Sequence, residues 1–193
     1  MIEKIKDSLK EATVNFAEFL HEETNAEIIW QVAKAVAETF EKGNKVLICG
    51  NGGSSTDAMH FAEECTGRFR QNRKALPAIS LTDPSHITCV ANDFGFEEIF
   101  ARGVEAYGKS GDLLIGISTS GNSTNIIRAF QKAKELGLLT FALLGKDGGQ
   151  IDGICDLQLI APGKTTDRIQ EIHIVVLHII VETVERILFP ENY

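Results

Sequence analysis

Lys45-Val46-Leu47-Ile48-Cys49-Gly50-Asn51-Gly52-Gly53-Ser54-Ser55 is the stretch whose reading decides the fold. Its apolar residues run without a polar interruption, which marks a strand buried on both faces. The glycine-rich turn after it allows close backbone approach to a ligand, and helical spacing follows. The order strand, glycine turn, helix returns at Leu113-Leu114-Ile115-Gly116-Ile117-Ser118-Thr119-Ser120-Gly121-Asn122-Ser123. Here the turn carries four hydroxyls, on Ser118, Thr119, Ser120 and Ser123. Capping a helix needs one hydroxyl. The excess points to an anion such as phosphate, held by neutral donors at a helix start.

Further apolar runs at 78–81, 140–144 and 157–160 bring the expected strands to five, with helical segments between them. The expectation is an α/β fold with an open, doubly wound, five-stranded parallel sheet whose ligands bind beyond the carboxyl ends of the strands. Residues 1–42 read as two helices, from Ile2, Ile5, Leu9, Ala12 and Phe16 and then Ile28, Ile29, Val32, Ala35, Val36 and Phe40. Neither has a catalytic-looking segment, so both are assigned to packing and subunit contact. The last helix, 167–188, is apolar around much of its circumference and is expected to be buried within an oligomer. One domain is expected over 1–193: an N-terminal helical extension, 1–42, and an α/β core with the C-terminal helix, 43–193.

A chain of 193 residues can bury a substantial core without disulfides. With 44% hydrophobic and 24% charged residues it has a globular composition, and a net charge of −8 argues against a nucleic-acid binder. Cys49, Cys65, Cys89 and Cys155 form no Cys-x-x-Cys pair, which suggests a reducing compartment. The charged N-terminus resembles no secretory signal, and the apolar stretch 172–181 is too short to span a bilayer. A cytoplasmic protein without membrane partners is expected. Gly50 and Gly52 begin a dinucleotide fingerprint, but Ser55 stands where its third glycine belongs. Gly145-Lys146 is followed by Asp147, so no P-loop exists either.

The helix after the first turn carries Asp57, His60, Phe61 and Glu64. His60 and Glu64, four residues apart, share a helix face. That suits a common metal ion, a base with its orienting partner, or an ordinary surface pair. His178, inside an apolar run, reads as a core histidine or a ligand. Cys65 reads as a small core residue. Arg68, Arg70 and Arg168 are cationic candidates, and Asp83 is an outside candidate for a polyol contact.

Cys49-Gly50-Asn51-Gly52-Gly53-Ser54, Asp57-Ala58-Met59-His60-Phe61-Ala62-Glu63-Glu64, Ala91-Asn92-Asp93-Phe94-Gly95-Phe96, the turn 116–123 and Asp167-Arg168-Ile169-Gln170-Glu171-Ile172-His173 occur in that order. Together they resemble the bacterial phosphoheptose isomerases of the sugar-isomerase (SIS) family over nearly the whole chain. The resemblance implies a flavodoxin-like SIS fold, a homotetramer with interfacial active sites and one zinc per subunit. It implies conversion of sedoheptulose 7-phosphate to D-glycero-D-manno-heptose 7-phosphate through an enediol. That is the first step of ADP-heptose supply for the lipopolysaccharide core or another surface glycan. His60, Glu64, Gln170 and His178 match the zinc positions, and Glu64 and His178 match the acid/base pair. Asn51, Gly52, Gly53, Glu64, Asn92, Asp93, Ser118, Thr119, Ser120, Ser123 and Gln170 match substrate-contacting positions.

Two departures from the family pattern stand out: Ser54-Ser55-Thr56 replaces a more usual Ser-His-Cys, and 161–166 is short. Gln170 and His178 are eight residues apart, about 12 Å along an ideal helix. Reaching one metal from one chain would need long side chains or an irregular helix start; otherwise they serve different subunits. Alternatives are a catalytically silent SIS-fold protein that binds the replication initiator, a sugar-phosphate sensor, and an isomerase of another sugar phosphate. The presence of both Glu64 and His178 favours an enzyme.

Overall fold

The computed structural model describes all 193 residues. Helices α1 (Ile2–His21) and α2 (Glu23–Glu41) precede β1 (Val46–Gly50), α3 (Gly53–Thr66), β2 (Ala78–Ser80), α4 (Pro84–Asp93) and α5 (Ile99–Tyr107). The chain continues through β3 (Leu113–Ser118), α6 (Thr124–Glu135), β4 (Leu139–Gly145), β5 (Leu157–Ala161) and α7 (Thr166–Leu188). All five strands are parallel, in the order β2-β1-β3-β4-β5. The sheet, the N-terminal helices and the long C-terminal helix match the sequence expectation.

The continuous apolar runs have a plain physical cause. Val46 and Ile48 enter one core with α2, α3 and α7, while Leu47 and Cys49 enter a second with α4, α5 and α6. Adjacent strand residues point to opposite faces, so a sheet covered on both sides needs apolar residues at every position. Only β2 falls short of its expected length. The Leu81 N–H still donates to the Ile48 carbonyl at 2.9 Å, and the chain then turns into α4. Asp83 caps that helix by accepting from the His86 N–H at 2.8 Å, so it serves as a helix cap.

Strand order reverses between β1 and β3, where the crevice for a ligand opens in such sheets. Both turns singled out in the sequence, 51–53 and 118–123, leave these two strands. α1, in contrast, buries only Phe19, and Ile2, Ile5 and Leu9 stay exposed.

His173 is a buried core histidine. Its Nε2–H donates to the Leu144 carbonyl at 2.8 Å, tying α7 to β4, while Nδ1 is buried without a partner. Burial lowers its pKa to about 4, against the opposing effect of that hydrogen bond. Between pH 6.5 and about 4 the unfolded chain binds this proton and the native chain does not, so acidification favours unfolding. Roughly 3 kcal/mol of stability is expected to disappear over that window. His173→Gln, which keeps a donor but cannot titrate, should flatten this acid limb in urea titrations. An unchanged limb would assign it to other groups.

Candidate active site

α3 and α7 lie side by side in the same sense, with the N-terminus of each at the carboxyl edge of the sheet. The Gln170 amide packs on Gly53 and donates to Ser54 Oγ at 3.3 Å, while two turns further along His178 meets His60. The pairing is sterically required at its start. A Cβ at Gly53 would stand 2.7 Å from the Gln170 amide. The expected helical spacing therefore puts Gln170 against the first turn of α3 and His178 about two turns further along it. Gln170 thus stands on the same face of α7 as His178, nearer the start of α3.

His60, Glu64 and His178 do form a cluster, with their ligand-type atoms within 4.8 Å of one another. His60 Nε2 and Glu64 Oε1 are 3.2 Å apart, and the two imidazole rings meet edge to face at 4.9 Å. Phe69 closes the other side of His178 at 5.8 Å. His178 Nε2 is buried with no hydrogen-bond partner. Burial, and then the neighbouring His60, hold the pKa of His178 below the usual imidazole value, against the opposing pull of Glu64. A neutral ring with a buried, unpaired nitrogen is what a metal ligand or a proton acceptor requires.

Two imidazoles and a carboxylate are a donor set that zinc accepts. Ligand atoms on a tetrahedral zinc with ordinary bond lengths stand about 3.3 Å apart. Small side-chain rotations would close the observed cluster to that size, so these residues fit the ion.

The turn 118–123 keeps its hydroxyls available. Ser123 begins α6, yet its hydroxyl makes no capping bond and lies 3.0 Å from Ser118 Oγ. Ser120 Oγ accepts from the Asn122 N–H at 3.2 Å. Two reciprocal amide bonds of 2.9 Å join Asn51 to Asn125, so the turns after β1 and β3 are locked together. Each of these amides retains one N–H for another partner. Asn92 and Asp93 end α4 and bond each other at 2.7 Å, without a hydrogen bond to the His60–Glu64–His178 cluster.

Other candidates are placed elsewhere. Arg168 turns to α1, meeting Ser8 and, at 3.6 Å, Glu11. Arg70 pairs with Glu182 at 2.7 Å and stacks on Phe69. Cys65 is buried, and burial pushes its thiol up to about 12, so it is an inert core residue. Sequence reasoning names Asp57 with His60 and Glu64 but gives it no role. One Asp57 carboxyl oxygen is buried without a partner, and burial raises the group to about 6 although His60 opposes it. Its signal was present, because Asp57, His60 and Glu64 stand at i, i+3 and i+7 on one helix face.

Comparison with known proteins identifies the family and supports the fold. The SIS-domain family profile matches residues 10–145. A phosphoheptose isomerase from Fusobacterium nucleatum is 65% identical over 175 residues, covering 91% of this chain and 90% of the relative. The phosphoheptose isomerase structure from Neisseria gonorrhoeae superposes with a TM-score of 0.88 at 38% identity, covering 95% of this chain and 97% of that one. One from Francisella tularensis gives 0.90 at 36%, covering 96% and 98%.

Proposed function

Because this chain belongs to the SIS-domain family, we propose that it is a phosphoheptose isomerase converting sedoheptulose 7-phosphate to D-glycero-D-manno-heptose 7-phosphate. It is an aldose-ketose isomerase acting on a sugar phosphate. The observation that carries this reading is the junction of His60, Glu64 and His178 within 4.8 Å of one another, with His60 and Glu64 on a helix that starts from one of two locked, donor-rich turns.

The hydroxyls of Ser118, Thr119, Ser120 and Ser123, with the first N–H groups of α6, hold the phosphate. Asn51, Gly52, Gly53 and Gln170 line the path toward α3, and Asn92 and Asp93 contact the polyol. Glu64 removes the C1 proton, the C1–H electrons become the C1–C2 double bond, and O2 gains a proton. In the second half O1 loses its proton and Glu64 returns one to C2. His178 moves the proton between O2 and O1. A positioned acid or base of this kind contributes about 10²–10⁴-fold. His60, Glu64, Gln170 and His178 would hold zinc, which when bound would polarise the substrate carbonyl as a Lewis acid.

A homotetramer with interfacial sites fits two surface features. The cluster opens outward, with His60 41% and Glu64 17% exposed as side chains. An apolar groove of about 330 Å³ lies between α1, α2 and α7, with Trp30 52% exposed on its wall. An active monomer at low concentration would refute the tetramer. Four free cysteines suit a cytoplasmic enzyme, and no helix is long and apolar enough to cross a membrane. The product would enter heptose supply for a surface glycan.

The test is turnover of sedoheptulose 7-phosphate by protein stripped of metal with a chelator and then supplied with zinc. Aldoheptose phosphate should appear only after zinc is restored. Equal rates with and without metal would remove zinc from the account, and no product from folded protein would remove the substrate. The initiator-binding alternative predicts the latter together with capture of that partner.

A further inference from the structure

We propose that Arg73 is a positioning residue, which ties the main chain at Glu64 to α7 and so sets the spacing between the Glu64 carboxylate and His178. The proposal rests on the roles assigned to those two residues under the proposed function.

Arg73 lies in the irregular segment after α3 and folds back against it. Its Nη2 donates to the Glu64 carbonyl at 2.6 Å, and Nη1 donates to the Cys65 carbonyl at 2.7 Å and the Gly67 carbonyl at 3.0 Å. The last carbonyls of a helix have no partner within it, and a cation there also meets the negative end of the helix dipole. The remaining edge of the guanidinium faces away from α3. Nε donates to Glu185 Oε1 at 2.7 Å, and Glu185 lies two turns beyond His178 on α7. The Tyr193 hydroxyl donates to the second Glu185 oxygen at 2.8 Å, so both carboxylate oxygens are occupied.

Burial makes this bridge rigid. The Arg73 side chain is 0% exposed and that of Glu185 1%. Two charges so deeply buried cannot separate without each losing its counter-charge, whereas an apolar pair of similar volume could fill the same space with no loss of stability. An apolar pair would not fix where the Glu64 backbone sits relative to α7. The planar fork of arginine does so, because its donors are set at fixed angles to one another. Glu64 and His178 each hang from a helix that this fork clamps, so it sets where both stand relative to one bound substrate, on which their separate proton transfers depend.

The test uses the full-length, metal-loaded enzyme carrying Arg73→Lys, which keeps the charge but presents its donors from a single nitrogen that cannot span both helices as the planar fork does. A misplacement on the order of 1 Å costs about 10²-fold in rate. The kcat of R73K is therefore expected to fall by about 10²-fold, while KM for sedoheptulose 7-phosphate, set largely at the turn 118–123, stays within about threefold. The ligand-field bands of the Co²⁺-loaded protein, which report the geometry of the His60–Glu64–His178 cluster, are expected to shift. A purely structural role would lower the melting temperature and leave kcat and the bands of the folded protein unchanged, which would overturn the proposal. If R73K does not fold, Tyr193→Phe takes its place, since it frees one Glu185 oxygen and leaves the ion pair intact. Shifted bands with a several-fold lower kcat support the bridge, and unchanged bands and kcat overturn it. Should the wild-type protein not turn over this substrate, the functional reading fails, and the Co²⁺ bands alone decide the positioning role.

Discussion

Glu64→Gln is expected to lower kcat by about 10⁴-fold, the upper range for a positioned acid or base, with KM close to wild type. The substitution keeps the shape of the side chain and an oxygen beside His60 Nε2, which now stands 3.2 Å from Glu64 Oε1. It removes the negative charge, and with it both the ability to accept and return a proton and much of the strength of the group as a zinc ligand. The experiment also separates two roles that compete on one carboxylate, because a group bound tightly to zinc is a poor base. If Glu64 serves mainly as a ligand, excess zinc should restore the rate of the variant. If it carries the proton, the loss persists at saturating zinc, and we expect it to persist. Near-normal turnover would remove Glu64 from the chemistry altogether.

The second large effect is expected at Gly121→Ala. Gly121 has φ of +64°, where an L side chain is strained, and a Cβ there would lie 1.8 Å from the Gly148 carbonyl oxygen. The obstacle is backbone, so no side-chain rotation relieves it. The two segments are also joined by hydrogen bonds, from the Ile151 N–H to the Gly121 carbonyl at 3.0 Å and from the Gln150 N–H to Asn122 Oδ1 at 3.1 Å. Either the hydroxyl-bearing turn or the 148–149 turn must move. A stability loss of roughly 3 kcal/mol is expected from denaturant titration. If the turn holds phosphate, KM should rise at least about 10-fold, and inorganic phosphate should no longer raise the melting temperature. Wild-type stability and KM would show that this turn tolerates displacement and is not the anion site.

The fold was largely legible because its signals are local. Val46 to Cys49 had to be apolar at every position to face two helical layers, and a run of that kind has few other readings. Helix spacing likewise placed His60 and Glu64 on one face. The histidines of α7 mark the limit of such reading. His173 and His178 share one apolar helix, yet the first bonds a strand carbonyl in the core and the second meets His60 and Phe69. What separates them is the surface packed opposite, which no local pattern contains. The Arg73–Glu185 bridge joins residues 112 apart and was invisible for the same reason. Arg168 carried a cationic signal in a suggestive segment, but α1 supplied it with Ser8 and Glu11 as partners.

The central claim is that this chain moves a proton between C1 and C2 of a sugar phosphate through an enediol, with Glu64 as the carrier. Its most direct test follows zinc-loaded protein and sedoheptulose 7-phosphate in deuterated water by NMR. Glu64 is partly open to solvent, 17% exposed as a side chain, so its proton should exchange between turnovers. The account predicts aldoheptose phosphate carrying deuterium at C2, and none of either with Glu64→Gln. Product that retains only protium at C2, with a C1 label delivered there intact, would mean a hydride shift or a proton carried shielded from solvent, and the same product formed at an undiminished rate by Glu64→Gln would contradict the account.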